Sequence, residues 1–230
     1  MRKPLVTTPS PDARAERPAR VVVIQVNEIR EYPRVNAEVA RALDDGADCV
    51  RLADVEGQRL LLAGLRGAWR ACIEVLGDAG PELAAEMDAP GVTVVAHGNV
   101  ADGAGRGLIA GELLIFGDAG EAVGYDQRGG AIVVNGRAGH RAGLGQKGGD
   151  LMLWNGAGRL AGDRQAGGRL FVCPDLAGPH LRHAASGGRH VPIRAQPRDA
   201  AHLAVEDSAA VETLVDAIPT WLEWPKRSAD

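Results

Sequence analysis

The chain predicts an all-β fold, a right-handed parallel β-helix of about seven coils with small helical caps at both ends. Three observations carry this prediction. Glycine supplies 31 of the 230 residues, against an ordinary share of about 7%. Many of these glycines fall into columns 19 residues apart. Between the columns run short aliphatic segments that alternate sides with a period of two.

The columns are in phase with one another. Gly111, Gly130, Gly149 and Gly168 form one, at successive spacings of 19. Gly117 and Gly136 form a second, with Asn155 in the third place. Gly120, Gly139 and Gly158 form another, as do Gly124, Gly143 and Gly162, and Ala119, Ala138 and Ala157 interleave with them. Such phasing marks an internal repeat. Nineteen residues are too few for a βαβ unit or a propeller blade. They suit one coil of short strands joined by tight turns, with glycine admitting positive φ or close approach of successive coils.

Residues 1–20 carry Pro4, Pro9, Pro11 and Pro18 among charged and small residues and read as a disordered tail. Residues 21–48 read as a strand, Val21 to Val26, and a capping helix over about 37–44. Asn36 is placed to cap that helix, Val35, Val39 and Leu43 give its apolar stripe, and Gly46 closes it. Residues 49–190 are the β-helix, regular over 91–188 and less so over 50–90, where the glycine spacing wanders. Its clearest strands are Glu112–Phe116, Ala131–Asn135, Asp150–Trp154 and Arg169–Cys173. Leu113, Ile132, Leu151 and Leu170 make one inward column, and Ile115, Val134, Leu153 and Val172 a second. Residues 191–230 are expected to cap the far end with a helix over about 208–218, stopped by Pro219 and followed by Trp221 and Trp224.

A net charge of −4 with interspersed signs, and only 3% aromatic residues, argues against a nucleic-acid partner. No apolar run reaches the roughly 18 residues of a membrane span, and the N-terminus lacks an apolar signal core. Cys49, Cys72 and Cys173 form neither a disulfide framework nor a CxxC site, which fits a reducing cytoplasm.

The sharper motifs all have plainer readings. Gly143 to Gly148 spells GxGxxG, but a strand follows it where a nucleotide fold needs a helix. His180, His183 and His190 lie where the repeat decays and read as surface or capping residues. His140 with Asp126 or Asp163 reads as turn polarity, and Cys173 as a structural thiol. No catalytic, cofactor-binding or metal-ligating residue is expected in this chain. The exception to these plain readings is the outward side of the strands. Val95, Leu114, Val133, Met152 and Phe171 form one apolar column there, and Phe116 and Trp154 extend it. Such a stripe is larger than a monomer normally exposes. It is expected to be an interface, covered in part by the C-terminal segment and chiefly by a partner chain.

The run GDAGEAVGYDQRGGAIVVNGRAGHRAGLGQKGG, residues 117–149, resembles the GXGXG repeat domain. That domain is the C-terminal β-helix of the glutamate synthase large subunit, and the same repeat builds the β-helical subunit of formylmethanofuran dehydrogenase. The resemblance implies a structural bridge between catalytic modules, with no catalytic residues to carry over. A chain of this size looks like the third piece of a split glutamate-synthase-like enzyme. Its partners would be a glutamine amidotransferase-like subunit and a synthase-like subunit holding FMN, with no cofactor in this chain. Met1-Arg2 offers no N-terminal cysteine nucleophile, and there is no room beside the repeats for a flavin barrel of about 250 residues. The alternative is a formylmethanofuran-dehydrogenase-like one-carbon complex, with this chain as its β-helical member. A stand-alone carbohydrate-active β-helix would need a carboxylate cluster that the apolar outward columns do not supply.

Overall fold

The computed structural model describes residues 19–29, 31–172 and 187–192. Nine strands form one sheet in strict sequence order, β1 to β9, and every neighbouring pair is parallel. The strands are β1 Val21–Gln25, β2 Cys49–Glu56, β3 Ala71–Asp78, β4 Asp88–Ala96 and β5 Ala110–Ile115. They continue as β6 Ala131–Val134, β7 Lys147–Leu153, β8 Gly167–Val172 and β9 Arg189–Pro192. A parallel neighbour at each step, reached by a connection too short for a helix, is the signature of a β-helix. From β2 to β8 the chain completes six turns, each returning beside its own start; about seven were expected, and the return from β8 to β9 lies outside the described residues. At about 4.8 Å per strand, the eight steps from β1 to β9 make a rod about 38 Å long.

The register is the one the columns require. Leu113, Ile132, Leu151 and Leu170 pair in succession, and so do Ile115, Val134, Leu153 and Val172. All eight are buried in one continuous aliphatic core that runs the length of the rod. Ala119, Ala138 and Ala157 meet as isolated bridges at a buried corner.

Each turn repeats one backbone device. Three residues at alternate positions adopt positive φ: Gly103, Gly105 and Gly107; then Ala122, Gly124 and Asp126; then Arg141, Gly143 and Gly145. The first and third donate their N–H to the following rung, as in Gly103 to Glu121 O and Gly107 to Tyr125 O. The middle one donates to the preceding rung, as in Gly105 to Leu83 O. These backbone N–H groups are therefore satisfied by a neighbour one coil away. Earlier turns use the same device without glycine: Leu60 and Leu62, then Glu82, Ala84 and Glu86, all have positive φ. This explains why the coil persists over 50–90 although the glycine spacing there is irregular. The packing on both sides holds residues that would avoid this conformation in isolation.

A second class of glycine answers crowding. A Cβ on Gly139 would lie 2.7 Å from Gly120 O, and one on Gly117 would lie 2.6 Å from Gly98 O. Successive coils approach too closely there for any side chain.

Two expectations are corrected at the first end. Strand β1 belongs to the ladder, so the sheet begins at residue 21, not 49. The helix, α1, spans Tyr32–Asp44 and starts five residues before the expected position. Pro33 in its first turn is preorganised for that start. Asn36 is therefore inside the helix, not at its cap. Its amide reaches the rod, donating to Leu60 O at 3.0 Å and accepting from Leu62 N at 2.7 Å. The other end of α1 follows expectation. Gly46, at φ +83°, donates to Leu43 O, and Ala47 donates to Ala42 O, a Schellman closure. Val35, Val39, Ala42 and Leu43 join the core. The expected tail over residues 1–18 and the cap over 193–230, with its helix and two tryptophans, lie outside the described residues.

Candidate functional site

The outer face of the sheet holds whatever chemistry the rod presents, and its central register column is continuous from β2 to β9. Arg51, Glu74, Val95, Leu114, Val133, Met152, Phe171 and Val191 pair in that order. The column has an ionic beginning and an apolar remainder.

The apolar part contradicts the expected exposure. Val95, Leu114, Val133, Met152 and Phe171 are each 1% exposed or less, and Trp154 is 3% exposed. With Val191 they form a second core cluster, against which Phe116, Cys72 and Ala131 are half-buried. The single chain already removes this stripe from water, so it is not an open surface awaiting a partner. Alternation along a strand shows that a side faces away from the first core; it does not show that it faces water. The indole Nε1 of Trp154 is buried with no hydrogen-bond partner. Beside the stripe, Arg169 grips Asp150 through Nε at 2.6 Å and Nη2 at 2.8 Å, and its guanidinium lies 5.5 Å over the Phe171 ring.

The ionic part is a compact cluster. Glu74 is 3% exposed. Its carboxylate takes an ion pair from Arg51 and lies 3.4 Å from His97 Nε2. A buried carboxylate needs such partners, because leaving it alone in the interior would cost several kcal/mol. His97 in turn stacks on Phe116, with ring centroids 5.8 Å apart. Cys49 Sγ lies 3.6 Å from Glu74 Oε2, and Cys49 faces Cys72 across the strand pair. A hydrogen bond from the Cys72 thiol pulls the Cys49 thiol below its ordinary pKa, against the opposing push of burial and of Glu74. The Cys72 thiol is pushed up, by that hydrogen bond first and by burial next.

Inside the rod, Gln127, Gln146 and Gln165 are fully buried and stacked. Gln146 Nε2 donates to Gln127 Oε1 at 3.2 Å, and Gln165 Nε2 donates to Gln146 Oε1 at 2.8 Å. Each amide also reaches backbone carbonyls, as Gln146 does to Gly149 O and Arg169 O. Their 19-residue spacing is present in the sequence, but glutamine is usually a surface residue, and a search for apolar columns misses them. A similar cross-coil device lines a turn: Asp78 Oδ1 accepts from Asn99 N, Asn99 Oδ1 from Asp118 N, and Asp118 Oδ1 from Arg137 N.

The other singled-out residues have structural positions. His140 Nδ1 accepts from Arg159 N at 2.9 Å, while Asp126 is held by Lys147 and Arg128, so the two do not act on each other. Gly143 to Gly148 is a turn leading into β7. His190 takes the inward register position over Leu170, with both ring nitrogens buried. Cys173, His180 and His183 lie outside the described residues. Among the described residues no group of three His, Cys, Asp or Glu side chains is placed to hold a metal, and no helix is long and apolar enough to cross a membrane. Comparison with protein-family models, curated proteins and solved structures finds no match to this chain.

Proposed function

We propose that this chain is a non-catalytic structural subunit of a glutamate-synthase-like complex, acting in the cytoplasm. It holds a glutamine amidotransferase-like subunit and an FMN-bearing synthase-like subunit at a fixed separation. The net chemistry, performed by those partners, moves the amide nitrogen of glutamine to an acceptor. The observation that carries this reading is the Gly-x-Gly-x-Gly turn, Gly103 to Gly107, whose alternating positive φ recurs on every coil from 60 to 164. It accounts physically for the repeat on which the resemblance rests. A rod locked coil to coil by backbone hydrogen bonds also suits a spacer, since it transmits position without bending at a hinge. Its interior is filled with aliphatic side chains and the glutamine column. The chain therefore supplies distance and orientation, and ammonia passes along surfaces it brings together.

The test is reconstitution with the amidotransferase-like and synthase-like proteins encoded beside this chain. Omitting the chain is expected to abolish glutamine-driven turnover while ammonia-driven turnover persists. Equal glutamine-driven rates with and without it would overturn the reading. Stable assembly with formyltransferase-like and amidohydrolase-like proteins would replace it with the one-carbon complex.

A further inference from the structure

The first turn of the rod brings together two thiols that the sequence separates by 23 residues, Cys49 and Cys72. We propose that they are a redox site: hydrogen peroxide oxidises them to a reversible disulfide that staples the first coil. Such a site does not depend on which assembly the chain joins.

The placement comes from register. Cys49 and Cys72 are direct partners on parallel strands β2 and β3. Such partners have Cα atoms about 4.8 Å apart, inside the window that a disulfide spans. Both side chains point to the outer face, both are free thiols, and both are half-buried, within reach of a small oxidant. Neither belongs to the sealed aliphatic core; Cys72 borders the outer apolar cluster.

The surroundings divide the labour. The Cys72 thiol donates its hydrogen to Cys49, which favours the thiolate on Cys49. Arg51, anchored on Glu74 beside Cys49, adds positive charge at the same place. The Cys49 thiolate attacks one oxygen of hydrogen peroxide; the O–O bond breaks, hydroxide leaves and takes up a proton, and Cys49 becomes a sulfenic acid. The Cys72 sulfur then attacks the Cys49 sulfur. The S–O bond breaks, and the departing hydroxide leaves as water with the Cys72 proton. Two thiols and one peroxide thus become one disulfide and two waters, and a dithiol reductant reverses the change.

The staple closes the coil to which α1 is fastened. Asn36 holds that coil at Leu60 and Leu62, and Asp44 accepts from Trp69 Nε1 at 2.9 Å.

The experiment uses the full chain, reduced, freed of reductant and exposed to hydrogen peroxide. The expected product is a monomer lighter by about 2 Da. Its non-reducing digest joins the peptides of Cys49 and Cys72, and dithiothreitol restores the original mass. In Cys72→Ser the expected product is a sulfenic acid at Cys49, trapped by dimedone. A bridge to Cys173, a bridge between two molecules, or three thiols that remain unreacted would each overturn the proposal. The wild-type digest decides the matter even if the variant fails to fold.

Discussion

The buried amides show what one residue contributes. Gln146 sits at the centre of a three-residue stack, donating to Gln127 and accepting from Gln165. Replacing it with leucine keeps the volume but strands the Gln165 amide and the carbonyls it serves. The expected loss is about 3 kcal/mol, read as a lower denaturant midpoint with an unchanged slope. Replacing all three glutamines by leucine is expected to cost less than three times that, because the same column is already Leu65, Met87 and Leu108 in the earlier coils, all buried. Asp126 makes a smaller, exposed contribution. The hydrogen bond from Lys147, and then Arg128, hold its carboxyl below the usual range. Since the folded group is the stronger acid, its stabilisation is complete above the ordinary pKa of about 3.9 and disappears as pH falls through the lowered value. Asp126→Asn is therefore expected to destabilise by about 0.5 kcal/mol at pH 7 and by nothing measurable in strong acid. Matched denaturant titrations at the two pH values check this. Asparagine also tolerates the positive φ of this position.

At the scale of elements, the sheet has two apolar faces, not one. The inward columns were legible because period-two alternation and a constant spacing of 19 identify which residues stack. The outward stripe was legible as a stripe, but its burial was not, since alternation gives a direction and not what lies there. The consequence is testable. Met152→Asp puts an unmatched charge at a position with no exposure. More than about 4 kcal/mol of stability should be lost, and the variant should lose its β circular-dichroism signal and its resistance to protease. A folded variant that merely fails to assemble would restore the stripe to the role of a partner surface. Two other features escape a reading by spacing. Cys49 and Cys72 stack because the first coil is longer than the repeat, so a 19-residue count does not align them. Asn36 looks like a cap because asparagine favours that place, yet Pro33 starts the helix earlier and leaves the amide for the rod.

At the scale of the molecule, stability is distributed along one axis. Each coil contacts only its neighbours in the ladder, so strength is a sum of similar local terms. The positive-φ turn matters more here than any single glycine. Leu60, Glu82, Ala122, Arg141 and Leu160 hold the same place as Gly103. A consensus built from glycines alone therefore underestimates the extent of the coil. What the rod presents to other proteins was legible only by resemblance, because spacing specifies how coils stack and is silent on who docks.

The constant register from β4 to β8 has an evolutionary corollary. Val94, Leu113, Ile132, Leu151 and Leu170 recur every 19 residues and pair in order. Copying one such stretch of gene in tandem would splice in a complete storey whose floor and ceiling already fit. An insertion of any other size would leave every later side chain facing the wrong wall. The molecule is therefore a ruler whose length can change in whole increments of about 4.8 Å while both ends keep their identity.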